Sequence, residues 1–180
     1  MTTYISILRG INVSGHKKIL MADLRGLYEK LGFKNVQSYI QSGNVVFGYA
    51  GDQSKHAIAG MIEESIEKEY KFQVPVLVKQ VNDLINTIKN NPFTEEAEVD
   101  PSRVAVTFLE SQPTSENLKK LVGVDYPPDR FIIDGENIYI HCPESYGTSK
   151  LSNNFFESKL KVRATSRNWK TINKLVEISG

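Results

Sequence analysis

The sequence predicts an α+β protein: one β-α-β-β-α-β unit, a second of the same order, and a closing helix. Three observations predict it. The apolar pattern switches between period two and a period of about 3.6 in the same order twice. Each half carries a hairpin signal, Ser42-Gly43-Asn44 in the first and Asp134-Gly135-Glu136-Asn137 in the second. Between them runs an acidic stretch, residues 91–102, punctuated by Pro92 and Pro101.

The first strand is the β-rich run from Tyr4 to Ile11. Met21, Leu24, Leu27, Tyr28 and Leu31 then recur at helical spacing, and Gly32 supplies the stop. Val36 to Ile40 and Val45 to Phe47 form the hairpin. Ser54 is placed to cap a helix whose Ile58, Ile62, Ile66 and Tyr70 share a face. Val74 to Val78 closes the unit as a strand, with Pro75 near its start, where a missing donor is tolerated. A short helix follows, with Asn82 as its expected cap.

After the acidic stretch the pattern restarts. Val104, Val106 and Phe108 alternate, and Thr114 or Ser115 opens a helix that ends at Gly123. Phe131 to Ile133 and Ile138 to Ile140 make the second hairpin. A helix with Leu151, Phe155, Phe156 and Leu160 is expected to open near Thr148-Ser149. Val162 to Thr165 reads as the last strand, and Trp169, Ile172, Leu175 and Val176 line the final helix. This split order is that of ferredoxin-like folds. The expected organisation is a first half over 1–90, a linker over 91–102, and a second half with the C-terminal helix over 103–180. The repeat reads as an internal duplication.

The 180 residues are 40% apolar and 24% charged, the make-up of a globular rather than a disordered chain. No apolar run approaches the roughly 20 residues that span a bilayer, so no membrane partner is expected. Cys142 is the only cysteine, which excludes an internal disulfide and points to the cytoplasm. The net charge of +1 is segregated. Residues 1–50 carry six basic and two acidic groups, residues 147–180 seven and two, and the middle nine and seventeen. Such ends favour anionic partners.

Polar motifs break or end the strands: Arg9-Gly10-Ile11-Asn12, Gln41-Ser42-Gly43-Asn44 and Thr165-Ser166-Arg167-Asn168-Trp169. Arg and Asn are directed donors suited to an anion or an amide-rich ligand. Strand directions place Arg9, Asn12, Ser42 and Asn44 at one end of the first sheet. In the second half, Gly147-Thr148-Ser149-Lys150 and Ser166-Arg167-Asn168 should share one end, where two helix starts add backbone donors. The bland alternative is local: the Asn side chains fix turns, while Ser149 and Ser166 cap helices.

Other signals carry less. Gly-Thr-Ser-Lys lacks the upstream glycine of a phosphate-binding loop. Ser149 and Lys150 are adjacent on an expected helix start, where side chains diverge. His141 and Cys142 should face opposite sides of a strand, which argues against shared metal ligation. His16 and His56 are expected at the surface. Phe47 and Tyr49 share a face as base-stacking residues would, although burial beneath the helices explains Phe47 equally well. No residue is an assured acid, base or nucleophile, and neither a metal nor a cofactor is called for.

The runs Arg9-Gly10-Ile11-Asn12-Val13, Met21-Ala22-Asp23-Leu24 and Tyr39-Ile40-Gln41-Ser42-Gly43-Asn44-Val45-Val46-Phe47 resemble a bacterial family numbered 1697 among domains of unknown function. Asn91-Pro92-Phe93, Ser149-Lys150-Leu151 and Thr165-Ser166-Arg167-Asn168-Trp169 extend the resemblance over most of the chain. It implies two ferredoxin-like units and no particular activity. The leading expectation is a small phosphate- or carboxylate-bearing ligand held between the halves by Arg9, Asn12, Ser42, Asn44, Ser149, Lys150, Ser166, Arg167 and Asn168. The alternatives are a nucleic-acid-binding module, with Lys17, Lys18, Arg163, Lys170 and Lys174 on phosphates, and a non-catalytic protein-interaction domain.

Overall fold

Two four-stranded antiparallel sheets, ordered β2-β3-β1-β4 and β6-β7-β5-β8, organise the computed structural model, which describes residues 1–180. The first sheet uses β1 (Thr2–Leu8), β2 (Lys34–Tyr39), β3 (Asn44–Tyr49) and β4 (Val76–Gln80), with α1 (Met21–Lys30) and α2 (Lys55–Tyr70) in the crossovers. The second uses β5 (Val104–Leu109), β6 (Arg130–Asp134), β7 (Asn137–His141) and β8 (Ala164–Asn168). Its helices are α4 (Ser115–Lys119) and α5 (Asn153–Leu160); α3 (Val81–Lys89) follows β4 and α6 (Trp169–Glu177) follows β8. The predicted fold class is therefore the observed one: two tandem ferredoxin-like units and a C-terminal helix. The chain divides into two compact units, Met1–Ile85 with Leu175–Gly180, and Asn86–Lys174.

In the first unit Tyr4, Leu8, Val45, Phe47, Val76 and Val78 meet Leu24, Tyr28, Ile58, Ile62 and Ile66 from the helices. Aromatic rings fill the centre, with Phe33 stacked on Phe47 at 4.4 Å between centroids. Tyr28 donates to or accepts from Ser6 Oγ at 2.7 Å, and burial pushes its phenol well above the usual range. Phe47 is thus core, which removes the base-stacking reading of its strand. The second unit packs Leu109, Ile138, Ile140, Cys142 and Ala164 against Leu121, Leu151, Phe156 and Leu160.

The two units share several fixing devices. Ser54 and Ser152 cap α2 and α5 by accepting from Ala57 N–H and Phe155 N–H. Lys71 and Lys161 end those helices in the left-handed conformation. Glu63 then accepts from Val76 N–H at 2.8 Å, as Glu157 does from Ala164 N–H at 2.9 Å, each tying a helix to the strand after it. Leu8 N–H donates to Gly43 O and Leu109 N–H to Glu136 O, both at 2.8 Å. These bonds put β1 and β5 in the same frame against their hairpins.

Several boundaries differ from expectation: β1 stops at Leu8 rather than Ile11, β4 spans Val76–Gln80 rather than 74–78, and α4 stops at Lys119 short of Gly123. The helix expected to open at Thr148-Ser149 starts at Asn153, because Ser152 has the spacing to cap it; Tyr146–Thr148 is a separate 3-10 turn. α3 begins at Val81 straight from β4, leaving Asn82 inside it; Asp83 accepts Gln80 N–H and serves that end. The last strand runs on through Ser166 to Asn168, held by pairing with β5. Residues 91–102 hold two further 3-10 turns, opened by the side chains of Asn91 and Asp100.

Candidate functional site

At the end of β1 the chain enters a loop in which Gly10, Asn12, Ser14, Gly15 and Lys17 all have positive φ. Such backbone needs side-chain support, and Asn12 provides it. Its amide donates to Ile19 O and Gln41 O, both at 2.9 Å, and its carbonyl oxygen accepts Ile19 N–H at 2.9 Å. The β1–α1 loop is thereby clamped to the β2–β3 turn, which brings Arg9, Asn12, Ser42 and Asn44 to one end of the sheet as the strand directions predict. Gly43 sits in the seam at φ +84°, and a Cβ there would lie 2.7 Å from Leu8 Cβ.

Juxtaposition is not availability. Asn44 is fully buried, and its amide donates to Tyr39 O and Ser42 Oγ, both at 3.0 Å. Asn12, Ser42 and Asn44 therefore hold the turn. Arg9 is half-buried at the strand end, its N–H bonded to Pro75 O at 2.9 Å.

In the second unit Ser166 does not cap a helix. It lies within β8, and its hydroxyl meets Thr107 Oγ1 at 2.6 Å, Tyr146 OH at 2.7 Å and Asn153 Oδ1 at 2.6 Å. One hydroxyl that donates to Asn153 and accepts from two others is saturated. The cap of α6 is Asn168, whose Oδ1 accepts Thr171 N–H at 2.8 Å. The Tyr146 and Asn153 bonds tie the turn before α5 and the first residue of that helix to Ser166, at the middle of β8.

Ser149 is occupied elsewhere. Its hydroxyl donates to Asp129 at 2.6 Å and accepts Leu151 N–H at 3.1 Å. With Lys150, Asp125, Tyr126, Pro127 and Thr148 it lines a cavity of about 360 Å³. Lys150 stands over the Tyr126 ring at 5.3 Å. Two carboxylates against one ammonium make this cavity poor for an anion.

Arg167 is placed differently. β-strand alternation sends it to the face opposite Ser166, and it lies across from Val106 in the ladder. Its guanidinium donates to Ser166 O at 2.8 Å, and burial draws its pKa down to about 10. Lys79, which the sequence reading passed over, is its counterpart. It lies across from Ile5 on the helix-free face of the first sheet and is only 5% exposed. A lysine directly after the apolar run Val74–Val78, in phase with Leu77, was the signal available.

His141 and Cys142 separate as expected. Cys142 joins the helix-side core, where burial pushes its thiol up to about 11. His141 lies on the other face, its Nδ1 3.3 Å from Arg130, whose guanidinium also bonds Glu96 at 2.8 Å and covers the Phe93 ring at 4.9 Å. Desolvation, then the Arg130 charge, lowers the His141 pKa. His16 and His56 are exposed, and no cluster of acidic, histidine or cysteine side chains suits a metal.

A family model described as a protein of unknown function, DUF1697, matches residues 1–139. Among solved structures, one described as the conserved bacterial protein SP0830 from Streptococcus pneumoniae is similar over 99% of both chains, with a TM-score of 0.77 and 24% identity. That likeness is one of fold. No curated protein matches the chain. No helix is long and apolar enough to cross a membrane.

Proposed function

Since the chain belongs to the DUF1697 family of proteins of unknown function, we propose its role from its own side chains: binding of a small anionic ligand, phosphate- or carboxylate-bearing, with Arg167 as the principal contact. The single observation that supports this is the desolvated guanidinium. The side chain is half-buried on the helix-free face and desolvation draws its pKa down to about 10, so an anion beside it meets a planar, charged donor already partly stripped of water. Lys79 at the matching position supports a cation as a recurring property of that face. The matched registers are what an internal duplication would leave. The lone thiol of Cys142 suits a reducing cytoplasm.

Phosphate, sulfate and acetate titrations followed by the fluorescence of Trp169, two residues from Arg167, test the reading. Arg167→Ala is expected to weaken phosphate binding about tenfold or more, the value of one charge-assisted contact. Unchanged affinity in Arg167→Ala overturns the assignment.

A second reading draws on the saturated polar motifs. Asn12, Asn44, Ser149, Ser166 and Asn168 are all spent on the protein's own groups, as they would be in a non-catalytic interaction domain. Absence of any anion binding in the unmodified protein would favour it.

A further inference from the structure

The turn end of the first sheet carries two local choices that work against folding. Ile40 is β-branched yet sits at φ +51°, where Gly or Asn is unstrained, and it leaves 48% of its surface exposed. Leu20 occupies the N-cap of α1, makes no side-chain cap bond, and is 72% exposed. Ser, Thr, Asn or Asp there would satisfy a helix donor. Val13, 57% exposed, is the third large aliphatic residue of this region.

One amide gathers the three. Asn12 Nδ2 lies 2.9 Å from both Ile19 O and Gln41 O. Val13 follows Asn12, Leu20 follows Ile19, and Ile40 precedes Gln41, so three exposed aliphatic side chains flank three residues that a single group ties together. The surroundings are basic. Exposed His16 and Lys18 stand in the same loop, where the Lys17 ammonium donates to Gln73 O, and residues 1–22 and 30–51 contain no carboxylate. Places where sound local rules fail without a packing gain are where function is sought.

We infer that this loop end is a reversible attachment surface for an anionic phospholipid bilayer, with Val13, Leu20 and Ile40 entering the acyl boundary and Lys18, with His16, facing the headgroups. The residue types select this occupant. Bare nucleic acid is bound on aromatic platforms and protein hot spots are rich in Trp and Tyr, whereas all three exposed tips are aliphatic. Aliphatic tips rimmed by lysine suit a hydrocarbon boundary beneath phosphates. The expectation of no membrane partner came from the lack of a spanning segment, which surface attachment does not need.

Sedimentation with phosphatidylcholine vesicles, with and without phosphatidylglycerol, tests the inference. Binding is expected only when phosphatidylglycerol is present and should weaken as salt rises. Leu20→Ser and Ile40→Asn should each reduce it about tenfold, while both raise or preserve the thermal midpoint, since each relieves a local conflict. A purely structural role predicts the reverse: lowered midpoints and unchanged partitioning. That result, equal binding to neutral vesicles, or complete displacement by single-stranded nucleic acid would each overturn the assignment.

Discussion

Lys79 and Arg167 occupy the same position in the two units: each lies in the fourth strand, across from the residue three places before the β1 or β5 leucine that bonds the hairpin. Both side chains leave the sheet on its helix-free face. A cation drawn out of water costs stability unless its surroundings repay it, and at this one position Lys79 is buried and Arg167 half-buried.

Replacing those cations by apolar residues of similar length tests that use. Lys79→Met and Arg167→Met are each expected to leave stability unchanged or raise it by about 1 kcal/mol, measured by urea unfolding, while Arg167→Met abolishes phosphate binding. A loss of about 3 kcal/mol or more would mark Arg167 as a structural linchpin and sink the ligand reading.

The seam between the β1–α1 loop and the β2–β3 turn depends on Gly43. Gly43→Ala would set a Cβ 2.7 Å from Leu8 Cβ and 2.8 Å from Ile11 Cδ1 at a positive φ. It should cost about 2 to 3 kcal/mol. Gly10→Ala, also at positive φ but with open space around it, should cost only about 1 kcal/mol. Equal costs would show that conformation, not packing, controls the seam.

Ser166 is the hub of the polar network under α5. Ser166→Ala removes the partner of Thr107, Tyr146 and Asn153 together, and should lower stability by about 2 kcal/mol. Thr107→Val in that background should cost less than it does alone, because the two share one bond. Additive losses in this double-mutant cycle would refute the network.

The lowered His141 pKa makes stability pH-dependent on the acid side of neutrality. The unfolded chain, near 6.5, binds the proton more readily than the folded one, so protonation favours unfolding. Stability from this group is full above pH 6.5 and falls as pH drops toward the lower folded value. Glu96 and Asp100 behave separately. Hydrogen bonds from Arg130 and Ser102 lower their pKa values, so their contribution is lost only below the ordinary carboxylate values of 4.5 and 3.8. Thermal midpoints between pH 7 and 5 should therefore fall for the unmodified protein and flatten in His141→Phe. A parallel fall in that variant would assign the effect to other groups.

Element order was legible because it rests on short-range pattern. The two periods of apolar residues, the hairpin signals at Gly43 and Gly135, and the caps Ser54 and Thr114 act within a few residues of themselves. Misreadings arose where two nearby residues could do one job. Ser149 and Ser152 both precede a helical pattern, and the spacing of Ser152 to Phe155 won. Ser166 and Asn168 both precede Trp169, and pairing of β8 with β5 carried the strand past Ser166 and left Asn168 as the cap.

By itself, then, the sequence determined the fold class, the order of strands and helices, and the meeting of the Arg9–Asn12 and Ser42–Asn44 segments, because strand direction follows from connectivity. Only the tertiary structure decided what those polar groups do. Whether an amide is spent on a carbonyl or left for a ligand depends on partners distant in the chain: Gln41 for Asn12, Thr107 for Ser166, Asp129 for Ser149. Register, which no local pattern encodes, turned Lys79 and Arg167 inward at matching positions and left Leu20 and Ile40 exposed around one amide.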